Sequence, residues 1–170
     1  LTINGGNFAG DHADVYNWSG TNANGRAVAI SITGGTYKFK PSFVAEGYIT
    51  SKNDNGTYTV KSSTLEDGAV LDLGGVEYNG TITALGDLTI KGDTKIKILK
   101  AVNGGTITIE DGKTLTLNNF SFGSKDTADA EYEIKGGTIV ASNGFFQHGK
   151  YALYSNFETG YMYYSYGSDI

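Results

Sequence analysis

The chain of 170 residues has no cysteine, one proline and one tryptophan. Without cysteine it can form neither disulfides nor thiolate metal sites, and its stability must come from hydrogen bonding and packing. No apolar run approaches the roughly 20 residues that a membrane-spanning helix requires. The first residues also lack the basic and apolar regions of a signal peptide. We therefore expect no membrane insertion by this segment.

Basic residues are few as well, with 13 Lys and Arg against 18 Asp and Glu and a net charge of −5. Such a chain offers little to offset phosphate repulsion, and nucleic acid is not an expected partner. Charged residues make up only 18% of the chain, whereas it contains 25 Gly and 12 Tyr. This composition is typical of turn-rich all-β proteins and far from that of a helical protein.

A short motif recurs along most of the chain, an apolar residue followed by a spacer, Gly-Gly and then Thr or Asn. Its copies occupy residues 3–8, 32–37, 102–107 and 134–139, with a weaker one at Gly74-Gly75. The irregular spacing indicates a stack of coils with loops of variable length.

Brief runs of alternating β-formers accompany these glycines, at residues 69–73, 81–83, 88–90, 95–98, 106–109 and 114–117. Each run is too short to be stable alone, but parallel stacking would pair the backbones and line up the apolar residues as one core. We therefore predict an all-β parallel β-helix, a β-solenoid, with Val, Ile and Leu inward and Thr and Lys outward. Residues 1–170 would form a single domain with a possible sub-boundary near residue 61.

Residues 40–60 differ from the rest of the chain. In residues 40–47, Pro41 near the start and Gly47 just past the end predict a single helical turn. Asn55-Gly56 between the β-rich residues 48–51 and 57–60 predicts a small projecting hairpin with a type I′ turn.

Residues 34–37, 41–48 and 55–60 together resemble a motif of large secreted surface proteins of gut bacteria. The resemblance implies a right-handed parallel β-helix of the pectate-lyase-like kind within an adhesin-like protein, located extracellularly or on the bacterial cell surface. Because the sequence begins inside a repeat at Leu1 and ends at Ile170 with another strand under way, we expect a fragment of a longer solenoid. The rest of the parent chain would then stack on its ends.

Catalysis by this fold, as in pectin-cleaving enzymes, would need clustered carboxylates and a nearby base. Glu66-Asp67 and Glu110-Asp111 each precede a glycine, which is typical of turn residues. His12 lies between Asp11 and Asp14, but in an Asn- and Gly-rich loop where solvated polar residues are common. His148 lacks the companion motifs of a polygalacturonase. We therefore predict no catalytic residue, no cofactor and no metal site.

Aromatic residues are concentrated at the C-terminal end. Exposed Tyr and Trp can stack on sugar rings, and possible carbohydrate contacts are Trp18, Tyr161, Tyr163 and Tyr164. Strand alternation favours a different interpretation, in which Tyr161 and Tyr163 face the core and Tyr164 faces outward or packs on the next coil.

The favoured function is a non-catalytic structural or adhesive segment that displays loops to a host surface protein or glycan. One alternative is a carbohydrate-active enzyme or carbohydrate-binding module of the same fold, which would bring carboxylates and a base together in one groove. Another is a phage fibre or tailspike segment, which would be trimeric and expose apolar stripes. Thr-x-Thr sequences occur at residues 81–83, 106–108 and 114–116. Their spacing along the chain is too irregular for an ice-binding array, and we interpret them as ordinary exposed threonines in strands.

Overall fold

The computed structural model describes residues 1–11, 15, 29–123, 132–148, 151–156 and 161–166. Their regular secondary structure is entirely β, which confirms the predicted fold class for this part of the chain. Within the same residues, no helix has the length and apolar character needed to cross a membrane. The chain divides into two compact units, Leu1–Ser62 and Ser63–Ile170.

The first unit contains six described strands. They are β1 (Thr2–Ile3), β2 (Asn7–Phe8), β3 (Ser31–Ile32), β4 (Gly35–Tyr37), β5 (Tyr48–Lys52) and β6 (Tyr58–Ser62). β1 pairs in parallel with β3, and β2 pairs in parallel with β4. The first two copies of the glycine motif therefore lie in register on successive coils.

Contacts between these two coils are close. Thr33 donates a hydrogen bond from Oγ1 to Oδ1 of Asn4 at 2.8 Å. Ile32, Tyr37 and Val60 are buried and form the core of the unit. The hydroxyl of Tyr37 donates a hydrogen bond to the carbonyl oxygen of Gly34 at 2.8 Å. The coils are thus joined by both polar and apolar contacts.

The predicted helical turn at residues 40–47 is wrong, because the backbone of this segment pairs with Ile32. The N–H of Ile32 donates to the carbonyl oxygen of Phe43, and the N–H of Ala45 donates to the carbonyl oxygen of Ile32, both at 2.9 Å. Val44 consequently forms a parallel bridge with Ile32. Gly47, at φ +78°, then turns the chain into β5.

The predicted hairpin is formed by β5 and β6, which pair in antiparallel register from Tyr48↔Ser62 to Lys52↔Tyr58. Its turn is not type I′, because Gly56 has positive φ whereas Asn55 does not. The N–H of Gly56 donates to the carbonyl oxygen of Asn53, and that of Asn53 donates to the carbonyl oxygen of Thr57. These bonds define a three-residue loop with glycine in its last position. β6 also pairs with β4, so the hairpin is part of the four-stranded sheet β2-β4-β6-β5.

The second unit contains the remaining described strands. They are β7 (Thr64–Leu65), β8 (Ala69–Leu71), β9 (Tyr78–Ala84), β10 (Leu88–Ile90), β11 (Thr94–Ala101), β12 (Gly105–Phe122), β13 (Tyr132–His148), β14 (Tyr151–Asn156) and β15 (Tyr161–Tyr166). One parallel ladder joins β7, β9, β11, β12 and β13, and a second joins β8, β10 and β12. These ladders form a parallel β-solenoid of about three turns, as predicted.

The interior of the second unit consists of rows of aliphatic and aromatic side chains in register. Ile90 pairs with Leu71 on one side and Ile109 on the other, and all three are buried. Ala101 likewise pairs with Ala84 and Phe122, and this row is buried too. Between such positions Lys95, Lys97 and Lys100 are exposed, as the alternation predicted.

Two predicted runs are joined in one strand. Residues 106–109 and 114–117 both belong to β12, whose pairing with β13 is irregular between Ile109 and Thr114. Gly112, at φ +71°, lies inside this irregularity. Asn119 also lies within β12, paired with Ile98 and Asn143.

Candidate functional site

The predicted carbohydrate contacts fall in different parts of the chain. Trp18 lies outside the described residues. Tyr161, Tyr163 and Tyr164 all lie in β15, the last strand of the larger sheet. β15 pairs antiparallel with β14, and β14 pairs antiparallel with the last six residues of β13. The sheet therefore changes from parallel coils to an antiparallel extension at this end.

The register of the extension distributes the tyrosines over both faces of the sheet. Tyr163 is opposite Tyr154, which is opposite Phe145. Tyr164 is opposite Leu153, which is opposite Phe146. Because neighbours along a strand alternate between faces and paired residues share one, Tyr161 and Tyr163 belong to one face and Tyr164 to the other.

The pairing of β13 with β12 relates these faces to the solenoid. Phe146 pairs with Phe122, which is fully buried, whereas Phe145 pairs with Ser121. Ser121 pairs in turn with Lys100, which is exposed. The backbone register thus aligns the position of Tyr163 with Ser121 and Lys100, and the position of Tyr164 with Phe122.

One set of alternate positions in this extension comprises Asn143, Phe145, Gln147, Ala152, Tyr154, Asn156, Tyr161, Tyr163 and Ser165. Phe145 and Tyr154 were not among the predicted contacts, because only the cross-strand register places them beside Tyr163. The available sequence signal was the spacing of the three strand-like aromatic runs, which suits two consecutive hairpins.

Acidic side chains occupy a first corner of the solenoid, where they bind the main chain of the next coil. Oδ1 of Asp67 accepts a hydrogen bond from the N–H of Asp87 at 2.7 Å. Oδ1 of Asp87 then accepts one from the N–H of Thr106, also at 2.7 Å. Asp67 lies in a turn, as predicted. These two carboxylates serve as acceptors for backbone donors that the ladders leave unpaired.

A second corner uses carboxylates in the same way. Oε2 of Glu110 accepts from the N–H of Gly92 at 3.0 Å, and Oδ1 of Asp93 accepts from the N–H of Thr114 at 2.9 Å. Asp72 caps its own turn, accepting from the N–H of Gly74 at 2.7 Å. These five carboxylates therefore each accept a hydrogen bond from the main chain.

Titratable residues outside the two corners were also considered for catalysis or metal binding. His12, Asp14 and Arg26 lie outside the described residues, while Asp11 is exposed. His148 ends β13 and is paired with Tyr151. In the part of the chain that the structure describes, no three His, Cys, Asp or Glu side chains are grouped closely enough to hold a metal ion.

Two lysines of the first unit are perturbed by burial. Desolvation lowers the pKa of Lys61 and, likewise, that of Lys40 from the ordinary value of 10.5. Lys61 lies in β6 opposite Ile49, which is buried. Its charge is therefore held beside the apolar interior of the sheet, where the protonated form is disfavoured.

The antiparallel extension brings aromatic, amide and hydroxyl residues to paired positions on three strands. Such groups can stack on and hydrogen-bond to an uncharged polar molecule. Comparisons of this chain with known protein families, with curated proteins and with solved structures find no match.

Proposed function

We propose that this chain is a non-catalytic, adhesin-like segment of a bacterial surface or secreted protein, in which a stiff β-solenoid presents a binding surface to a glycan. The observation that carries the proposal is the use of the acidic side chains. Asp67, Asp87, Asp93 and Glu110 each accept a main-chain N–H from a neighbouring coil. Their carboxylates thus support the coil stack.

The role of these carboxylates distinguishes a scaffold from the pectin-cleaving enzymes of the fold that the resemblance implies. A lyase or hydrolase of this fold needs carboxylates that converge on the substrate together with a basic residue. Corner carboxylates bound to backbone donors are directed at an adjacent coil. This supports a mechanical role for the solenoid and assigns ligand contact to its loops and its aromatic strands.

The resemblance of residues 34–60 to surface proteins of gut bacteria supports an extracellular or cell-surface location. In that setting a right-handed solenoid of the pectate-lyase-like kind would continue into the rest of the parent chain and hold its binding surface away from the cell. Neither a cofactor nor a metal ion is part of the proposed mechanism.

The test is a glycan array probed with the purified chain, followed by incubation of every bound polysaccharide with excess protein. We expect saturable binding to at least one glycan, with neither new reducing ends nor unsaturated products after prolonged incubation. Turnover of a bound glycan would replace the scaffold by an enzyme. Binding to no glycan on the array would overturn the adhesive part of the proposal.

A further inference from the structure

Asn-Gly dipeptides are prone to spontaneous deamidation, because glycine has no side chain to keep its main-chain nitrogen away from the asparagine amide. The chain contains six of them, which begin at Asn4, Asn24, Asn55, Asn79, Asn103 and Asn143. The structure describes the side-chain surroundings of four, those at Asn4, Asn55, Asn79 and Asn103. These surroundings differ enough to separate one site from the other three.

Asn55 lies at the tip of the hairpin formed by β5 and β6, and both Asn55 and Gly56 are exposed. A Cβ on Gly56 would have no atom within 4 Å, so the space around this peptide unit is open. The N–H of Gly56 donates to the carbonyl oxygen of Asn53 at 2.9 Å, which is a bond within the loop itself. Such a bond at a loop tip can open without separating the paired strands.

The side chain of Asn55 is held by the residue that follows Gly56. Its Oδ1 accepts hydrogen bonds from the N–H of Thr57 at 3.1 Å and from Oγ1 of Thr57 at 2.7 Å. Oγ1 of Thr57 accepts in turn from Nδ2 of Asn53 at 2.8 Å. Donors on Oδ1 draw electron density from the carbon that bears it, Cγ. The atom that the Gly56 nitrogen must attack is therefore activated by its own loop.

The Asn4-Gly5 unit is packed against the next coil. Oδ1 of Asn4 accepts a hydrogen bond from Oγ1 of Thr33 at 2.8 Å. A Cβ on Gly34 would overlap the carbonyl oxygen of Asn4 and lie 3.6 Å from the nitrogen of Gly5. Bringing this nitrogen to the side-chain amide therefore requires the two coils to move apart.

The two remaining described sites are also covered. Asn103 donates from Nδ2 to a main-chain carbonyl oxygen of the preceding coil at 3.4 Å, and Gly104 is buried. Asn79 precedes Gly80 within β9. A Cβ on Gly80 would lie 2.6 Å from the ring of Tyr78, so this ring covers the peptide unit. Reaction at either site needs a larger opening than reaction at the hairpin tip.

We propose that Asn55 is a deamidation site of the folded protein and the fastest of these four. The main-chain nitrogen of Gly56 attacks Cγ of Asn55 to form a succinimide, while the Cγ–Nδ2 bond breaks and Nδ2 leaves as ammonia with the proton of the Gly56 amide. Water then opens the ring. Breaking the new Cγ–N bond gives aspartate, whereas breaking the bond from this nitrogen to the main-chain carbonyl carbon of Asn55 gives isoaspartate.

The modification changes the chemistry of the hairpin tip. Either product adds a carboxylate next to Asp54. Isoaspartate also lengthens the main chain of the loop that joins Lys52 to Tyr58, the pair nearest the tip. The folded chain therefore acquires, with age and without an enzyme, a hairpin surface that the newly made chain lacks.

The experiment incubates the whole chain at mildly alkaline pH and follows the aspartate and isoaspartate products at each Asn-Gly dipeptide by proteolysis and mass spectrometry. In the folded protein Asn55 should lose its amide about tenfold faster than Asn4, Asn79 and Asn103, because local opening exposes it first. In concentrated urea the four rates should agree within about threefold, since no fold then distinguishes them. Asn55→Gln should abolish the product at this position and leave the other three rates unchanged.

Two outcomes would overturn the inference. One is a rate at Asn55 in the folded protein that does not exceed the other three. The other is an excess at Asn55 that persists unchanged in urea, because the cause would then be the local sequence and not the fold.

Thr57→Val tests the activation of Asn55, since it keeps the size of the side chain and removes the hydroxyl donor. In samples whose circular dichroism matches that of the wild type, it should slow the loss of the Asn55 amide by about threefold. An unchanged or faster rate would contradict activation by the threonine hydroxyl.

Discussion

The aromatic rings of Phe8 and Tyr37 stack on each other, with centroids 4.8 Å apart and planes inclined by 5°. The two residues are paired in register on adjacent parallel strands, β2 and β4. The ring separation is close to the spacing of neighbouring strands in a sheet, which is about 4.8 Å. The stack is therefore a direct consequence of placing two copies of the glycine motif on successive coils.

Replacing Tyr37 by Ala should destabilise the first unit by about 3–5 kcal/mol, because it leaves a large cavity in a buried core. Tyr37→Phe keeps the ring but removes the hydrogen bond to the carbonyl oxygen of Gly34, and should cost about 1 kcal/mol. Urea unfolding of both variants and the wild type measures these differences. Equal stability of the two variants would show that the ring contributes nothing beyond its hydroxyl.

Gly34 and Gly5 occupy the same position in two copies of the motif and make a matched pair for mutation. A Cβ on Gly34 would overlap the carbonyl oxygen of Asn4 on the preceding coil, whereas a Cβ on Gly5 would have no atom within 4 Å. We expect Gly34→Ala to lower the free energy of unfolding by about 2 kcal/mol or more, since the backbones must separate. Gly5→Ala should stay within about 0.5 kcal/mol of the wild type. Similar losses in the two variants would contradict the in-register stacking of these coils.

Those features of the fold that depend on local pattern could be predicted from the sequence. The glycine pairs, the alternating runs and the Asn-Gly turn signal are all readable within a few residues, and they led to a parallel β-solenoid with a hairpin in residues 48–60. The prediction of a helical turn at residues 40–47 was wrong because the structure of that segment depends on a long-range contact. Pro41 and Gly47 are good local signals, but the pairing of Val44 with Ile32 is a long-range contact that local propensity does not include.

The candidate site, too, depends on strand pairing that the sequence does not give. The clustering of aromatics at the C-terminal end is visible in the sequence, whereas their division between two faces depends on the antiparallel register of β13, β14 and β15. A shift of one residue would exchange the faces of Tyr163 and Tyr164. The partnership of Phe145, Tyr154 and Tyr163 is therefore a property of pairing, and Trp18 stays a prediction from the sequence alone.

The carboxylate of Asp87 should protect a main-chain donor of the next coil. Asp87→Ala removes the acceptor of the Thr106 N–H, and we expect a loss of about 1 kcal/mol together with faster hydrogen exchange of that amide. Asp87→Asn keeps an oxygen acceptor without the charge, and the exchange of the Thr106 amide should stay slow. An unchanged exchange rate in Asp87→Ala would show that the corner carboxylate is not needed to hold this donor.

The burial of Lys61 should make stability depend on pH. Desolvation in the folded state lowers its pKa below the ordinary value of 10.5, so the folded protein binds this proton more weakly than the unfolded chain does. The resulting destabilisation is complete below the lowered pKa and is relieved as pH rises toward 10.5. Lys61→Met keeps an unbranched apolar side chain without the charge, and its stability advantage over the wild type should shrink as pH rises through this window. Lys52→Met, an exposed neighbour in the same hairpin, controls for the loss of one positive charge. Urea unfolding between pH 7 and the ordinary lysine value measures both variants, and an advantage of Lys61→Met that does not change with pH would exclude desolvation of Lys61 as its cause.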